Sequence, residues 1–178
     1  MKGIRSTMLP MVTALTAGYF VASPAVAASG NLLKNPGFEK SLTSNAWKGQ
    51  DCCVTTSDPH SGEWIAAMGG QGVAHTDTIK QKVSIPQADG ATLSFWVKIS
   101  TEVPGEMDDT FKVRVTKPDG TSRTIRTLSS ADATETYVKY TAPMSRYTGK
   151  TVVVAFVATE DQGDRTDFQL DDTALKVS

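Results

Sequence analysis

Histidine is the side chain that most often moves a proton near neutral pH, and this sequence has two, His60 and His75. His75 stands two residues before Asp77 in GGQGVAHTDT, a spacing that could hold a nucleophile but that recurs on ordinary loops. The glycines of that run are not followed by Gly-Lys-Ser/Thr, so they do not form a phosphate cradle. Neither Gly-x-Ser-x-Gly nor His-Glu-x-x-His occurs, which removes the nucleophile elbow and the zincin motif. Glu102, Glu106, Asp108 and Asp109 in EVPGEMDD offer paired carboxylates of the kind a glycosidase uses. They lie in what reads as an exposed strand connection, where a solvated acidic loop or a weak cation site is the plainer expectation. The sequence therefore reads as non-catalytic, with a hydrolase as the remote alternative.

Binding chemistry has better candidates. Sugars are held by aromatic faces against their apolar C–H surfaces and by planar polar side chains on their hydroxyls. In TLSFWVKIS, Leu93, Phe95, Val97 and Ile99 alternate with Thr92, Ser94, Trp96 and Lys98, so Trp96 cannot share the core face with Phe95. Lys112 and Arg114 alternate with Phe111, Val113 and Val115, and Asp167 and Gln169 point away from their own apolar neighbours. If these strands share one sheet, Trp96, Lys112, Arg114, Asp167 and Gln169 line its outer face as a ligand platform. The alternative for Trp96 is packing beneath a loop. Trp47 and Trp64 read as core or loop anchors, and Tyr137 and Tyr140 fall on opposite parities.

The elements that would position these residues are short strands. Further alternating segments are Trp64 to Met68, Thr78 to Ile85, Tyr137 to Thr141, Thr166 to Asp172 and Ala174 to Val177. Thr151 to Ala158 is apolar on both faces and reads as a central strand. Pro118-Asp119-Gly120 marks a hairpin turn. Ser129 to Glu135 is the one weak helical candidate, better read as a loop or a single turn. Many short strands between Gly, Pro, Asp and Ser turns predict an all-β fold, a two-sheet antiparallel β-sandwich.

Composition sets the compartment and narrows the partners. Lys2 and Arg5 precede an apolar run ending in Ala25-Val26-Ala27, the pattern of a secretory signal peptide over residues 1–27. Pro10, Gly18 and Pro24 interrupt the run, so a retained membrane anchor is the weaker reading. The mature chain, residues 28–178, is long enough for one domain with a real core. It is expected outside the cytoplasm, extracellular or periplasmic, as a monomer. Without Lys2 and Arg5 the basic side chains fall from 18 to 16 against 19 acidic ones, a net charge of −3 before histidine. That balance speaks against nucleic acid or an anionic membrane as the main partner.

Cys52 and Cys53 are adjacent, and α-carbons about 3.8 Å apart are closer than an ordinary bridge requires. An oxidised vicinal pair, free thiols and an intermolecular bridge all remain open. Metal binding by the pair lacks the Cys-x-x-Cys spacing.

NLLKNPGFE near the mature N-terminus, HSGEW at His60 to Trp64, TLSFWVKIS and the final LDDTALKVS, taken in that order, resemble the jelly-roll carbohydrate-binding modules of families four, nine and twenty-two. TDTIKQKVSIP, TLSFWVKIS and LDDTALKVS are more similar still to the jelly-roll domain appended to the C-terminus of many secreted bacterial peptidases, although no catalytic domain is read here. The resemblance spans most of Asn31 to Ser178. It implies a carbohydrate or glycan as partner, or in the second setting a protein or cell-surface partner. It also implies a structural calcium ion where the Gly-Phe-Glu turn meets the Asp-Asp strand. Glu39 and one of Asp171 and Asp172 would then give side-chain oxygens, and Gly37, His60 and Glu63 carbonyls. The other reading has Glu39 capping a turn and the aspartates solvated at a strand end.

Overall fold

The computed structural model describes residues 30–40, 46–50, 53–106 and 108–178, with the backbone alone of Gln50 and Cys53. The expected leader and the Cys52–Cys53 pairing fall outside the described residues. Ten strands follow in chain order: β1 (Lys48–Gln50), β2 (Cys53–Thr55), β3 (Ile65–Gly69), β4 (His75–Ser84), β5 (Ala91–Thr101), β6 (Thr110–Thr116), β7 (Ser122–Ser129), β8 (Val138–Pro143), β9 (Thr151–Glu160) and β10 (Thr166–Val177). They form two antiparallel five-stranded sheets. The first has the order β1-β4-β9-β6-β7 and the second β2-β3-β10-β5-β8. This is the expected two-sheet sandwich.

Alternation is what makes the two layers adhere. Ile79 and Val83 of β4, Phe111, Val113 and Val115 of β6, and Val152, Val154 and Phe156 of β9 are buried between the sheets. Leu93, Phe95, Val97 and Ile99 of β5 and Phe168 and Leu170 of β10 meet them from the other side. At the centre, Phe156 lies 5.3 Å edge-on from Phe95 and 5.8 Å stacked from Phe111. Truncating such a ring to alanine costs about 3–5 kcal/mol, so this cluster sets much of the fold's stability. β9 is the middle strand of its sheet, as its two apolar faces imply.

Two strand assignments differ from the sequence reading, one through parity and one through length. β10 is one strand rather than two. Asp171 pairs with Trp96 and Ala174 with Ser94, so β10 spends one residue more than β5, and Asp172 sits at φ 44° in the left-handed region. The bulge moves the core positions from Phe168 and Leu170 to Thr173 and Leu175, which breaks the alternation in sequence but not the ladder. β1 and β2, three residues each, are too short to leave a period. The helical candidate proves to be a single 3-10 turn, Ser130–Asp132. The hairpin closes as expected, Lys117 N–H donating to Thr121 O at 2.9 Å with Gly120 at φ 83°.

The N-terminal segment docks on the last strand. Asn31 Nδ2 donates to Thr173 O at 2.9 Å, and its Oδ1 accepts from Leu175 N–H at 2.9 Å. Pro36 O accepts from Thr173 N–H at 2.9 Å.

Candidate functional site

Glu39 reaches its position through an unusual turn. Asn35 and Phe38 both have positive φ, 49° and 59°, a conformation that is strained for a bulky aromatic. It is held by Phe38 N–H donating to Asn35 O, by Asn35 bracketing Lys40 with both side-chain atoms, and by Phe38 packing on Trp47 at 5.5 Å. The turn presents the Glu39 carboxylate to the loop before β3, where it accepts from Glu63 N–H at 3.1 Å and Trp64 N–H at 3.3 Å. Gly62, at φ 66°, lies so close to this carboxylate that any Cβ there would collide with it.

The same loop meets the β10 bulge. Asp171, fully buried, accepts from His60 N–H at 3.0 Å, Ser61 N–H at 3.1 Å and Asp172 N–H at 2.7 Å. Asp172 lies 2.7 Å from His60 Nδ1 and accepts from Ser61 Oγ–H at 3.0 Å. Burial, with Asp172 as like-charged neighbour, pushes the Asp171 carboxyl up against the opposing pull of those N–H bonds. The chain thus gathers Gly37, Glu39, His60, Glu63, Asp171 and Asp172 at one end of the sandwich. His60, Asp171 and Asp172 bring ligand atoms within 4.8 Å of one another. Among the described residues no lysine or arginine makes an ion pair with Glu39, Asp171 or Asp172. Carboxylates gathered with His60 as their one basic neighbour among the described residues, one of them buried, are of the type that can hold a hard divalent cation.

The proposed single platform is corrected by the topology. Trp96 on β5 and Asp167 and Gln169 on β10 share the second sheet, whereas Lys112 and Arg114 on β6 belong to the first, on the opposite side of the molecule. The chain crosses between layers from β5 to β6, and alternation reports a residue's face but not its sheet. Trp96 is half-buried beneath the 56–64 loop: the His60 ring stacks on it at 4.0 Å and 22°, and Tyr137 meets His60 edge-on at 5.3 Å. Gln169 Oε1 is buried without a partner among the described residues, and burial pushes the Asp167 carboxyl up. Trp47 is a core residue, while Trp64 is exposed.

The outer face of the first sheet instead carries a groove of about 760 Å³, within the range of small-ligand sites. Val153, Ala155 and Val157 of β9 form its apolar floor, and Lys48, Lys80, Lys82 and Arg114 rise along its walls. The registers set these in rows: Lys48 lies opposite Lys80, Lys80 opposite Ala155, and Ala155 opposite Arg114. Lys112 follows on the same face, opposite Val157. Of these only Lys112 and Arg114 were singled out from sequence. The lysines of β4 were legible as the outward positions of TDTIKQKVS, but nothing in the sequence said that β4, β9 and β6 lie side by side.

His75 and the acidic connection have other partners. His75 Nδ1 lies 2.8 Å from Val73 O and 3.3 Å from Glu160, and Nε2 lies 3.3 Å from Asp77. Glu160, buried, accepts from the N–H groups of Gln71, Gly72 and Thr166. Burial pulls the His75 pKa down, but the Val73 carbonyl and the Asp77 and Glu160 carboxylates outweigh it and hold it above the usual histidine value. Glu102 accepts from Arg165 N–H and Asp109 from Asp161 N–H. Glu106, Asp108 and Asp109 line a small acidic hollow with Asp161 and Asp164.

Comparison with solved structures places this architecture. A family 61 carbohydrate-binding module solved with β-1,4-galactotriose matches with a TM-score of 0.64 at 19% identity, over 83% of this chain and 99% of the module. The fold is that of carbohydrate-binding modules. The xylan-binding CBM22-1 domain from Paenibacillus barcinonensis matches with a TM-score of 0.55 at 18% identity, over 85% of this chain and 97% of that domain. A Clostridium thermocellum structure joining a CBM22-1 module to a GH10 module, complexed with xylohexaose, matches with a TM-score of 0.58 at 16% identity, over 85% of this chain and 29% of that one. No protein-family model and no curated protein matches the sequence.

Proposed function

We propose that the protein is a secreted, non-catalytic carbohydrate-binding module that holds its glycan in the groove across β4, β9 and β6. The observation that carries this reading is the groove itself: about 760 Å³ on a sheet face, with an apolar floor and long polar side chains around it. The likeness to modules solved with or named for galactan and xylan ligands supports it. Adhesion to a protein partner would call for a broad exposed apolar patch. Among the described residues the exposed large hydrophobic side chains are Trp64 and Val73, which flank opposite ends of β3.

A calcium ion belongs to the same proposal as a structural element. Glu39, Asp171 and Asp172 would hold it with the carbonyls of Gly37, His60 and Glu63, and it would supply positive charge to three carboxylates that no lysine or arginine among the described residues pairs with. The leader over residues 1–27 would deliver the chain, as a monomer, to the extracellular or periplasmic space.

The test of the groove is Arg114→Ala, measured on whichever glycan an array of purified mature protein selects. Arg114 is exposed and outside the core, so the melting temperature should stay within about 1–2 °C while affinity falls on the order of tenfold. Unchanged affinity on a confirmed glycan would move the site elsewhere.

A further inference from the structure

The groove is unusual in what lines it. Five cationic side chains, Lys34, Lys48, Lys80, Lys82 and Arg114, surround it, and among the described residues neither an acidic nor an aromatic side chain lines it. The chain as a whole carries 18 basic against 19 acidic side chains, so this face concentrates one sign of charge against the overall balance. None of the five makes an ion pair among the described residues.

Register makes the concentration costly. Lys48 and Lys80 are directly opposite on adjacent strands, and like charges so placed destabilise a sheet. Arg114 lies in the same row, separated from Lys80 only by Ala155. Two strand spacings put their backbones about 10 Å apart, roughly one Debye length at 0.1 M salt, so the potentials of the row add. A concave face with an apolar floor further focuses that potential. Neutral sugars are gripped chiefly by aromatic stacking, which these lining residues cannot give. Guanidinium and ammonium groups are suited to carboxylate and sulfate, the guanidinium through paired hydrogen bonds.

We propose that the groove selects an anionic glycan, one whose sugar rings lie on Val153, Ala155 and Val157 while its carboxylate or sulfate groups meet Lys80 and Arg114. This rests on the reading of the groove as a glycan site and adds the charge of the ligand. The like-charge opposition of Lys48 and Lys80 is then relieved on binding.

The test compares glycans that differ in charge. Purified mature protein is titrated with polygalacturonate, with the same polymer after full methyl esterification, with carrageenan as a sulfate-only polyanion, with neutral galactan and xylan, and with duplex DNA. Polygalacturonate or carrageenan should bind at least about tenfold more tightly than every neutral polymer, and which of the two binds names the anion. Lys80→Gln and Arg114→Gln should each weaken that binding on the order of tenfold. Lys176→Gln, which removes the same charge from an exposed position on the second sheet, should leave it unchanged. Arg114→Gln and Lys176→Gln should melt as the parent does, and Lys80→Gln at or slightly above it, because the opposition to Lys48 is gone. Binding of polygalacturonate that survives full esterification with no preference for carrageenan, or binding of neutral polymers alone, overturns the anionic ligand and leaves the glycan groove standing. Binding to DNA as tight as to either polyanionic glycan, weakened equally by all three substitutions, also overturns it in favour of unspecific charge attraction. Binding to none of the polymers rejects both readings.

Discussion

Trp96 illustrates how far one side chain's direction can be known without knowing its cover. It leaves the core face of β5, as alternation requires, and is then roofed by the His60 ring at 4.0 Å, with Lys139 Nζ 6.0 Å from its centroid. A tryptophan already stacked on a protein ring has one face occupied, which weakens it as a platform for sugar. Trp96→Ala should therefore lower stability by about 1–3 kcal/mol, less than the 3–5 kcal/mol of a fully buried ring, and leave glycan affinity within twofold. Thermal melting and titration on the same preparation check this. Loss of binding at constant melting temperature would restore Trp96 as the platform.

At the scale of elements, the loop between β3 and β4 is pinned by charge rather than by apolar contact. Glu160 at the end of β9 and Asp77 on β4 are buried carboxylates, and His75 stands between them. Its pKa is raised in the folded protein, so the folded state holds the proton more tightly than the unfolded chain does. The stabilisation is then fully present below the ordinary histidine value of about 6.5 and is lost as pH rises through the higher folded value. Denaturant midpoints measured from pH 5 to pH 9 should fall across that window, and His75→Gln should flatten the fall. A pH dependence identical in His75→Gln would assign the effect to other groups.

For the molecule as a whole, the decisive junction is the end where residues from both termini meet. The Asn35 to Glu39 turn, the His60 to Trp64 loop and the β10 bulge are joined through Glu39, Asp171 and the Pro36 to Thr173 hydrogen bonds. If calcium occupies this junction, it binds the folded chain only, and a hundredfold excess over its dissociation constant adds about 2.7 kcal/mol. The parent should melt several degrees higher with calcium than with chelator. Glu39→Ala should melt lower in both conditions, because Glu63 and Trp64 N–H lose their acceptor, and should no longer respond to calcium. A parent melting curve unaffected by chelation would leave Glu39 as a turn cap alone.

How much was legible in advance follows from the range of each interaction. Strand alternation is a local property, so the all-β sandwich, the central place of β9, the outward direction of Trp96 and Arg114 and the hairpin at Gly120 could be read from the sequence. The resemblance carried by NLLKNPGFE and LDDTALKVS also brought Glu39 and the Asp171–Asp172 pair together in advance. Which strands become neighbours depends on contacts between residues far apart in the chain, and period-two patterning is silent about them. Only the folded sandwich placed β6 beside β9 and away from β5, which split the expected platform in two and brought Lys80 and Arg114 into one row. The β10 bulge had the same standing: one extra residue reverses the parity of everything after it, and its cause, the Asp171 and Asp172 contacts with a loop more than a hundred residues earlier, exists only in three dimensions.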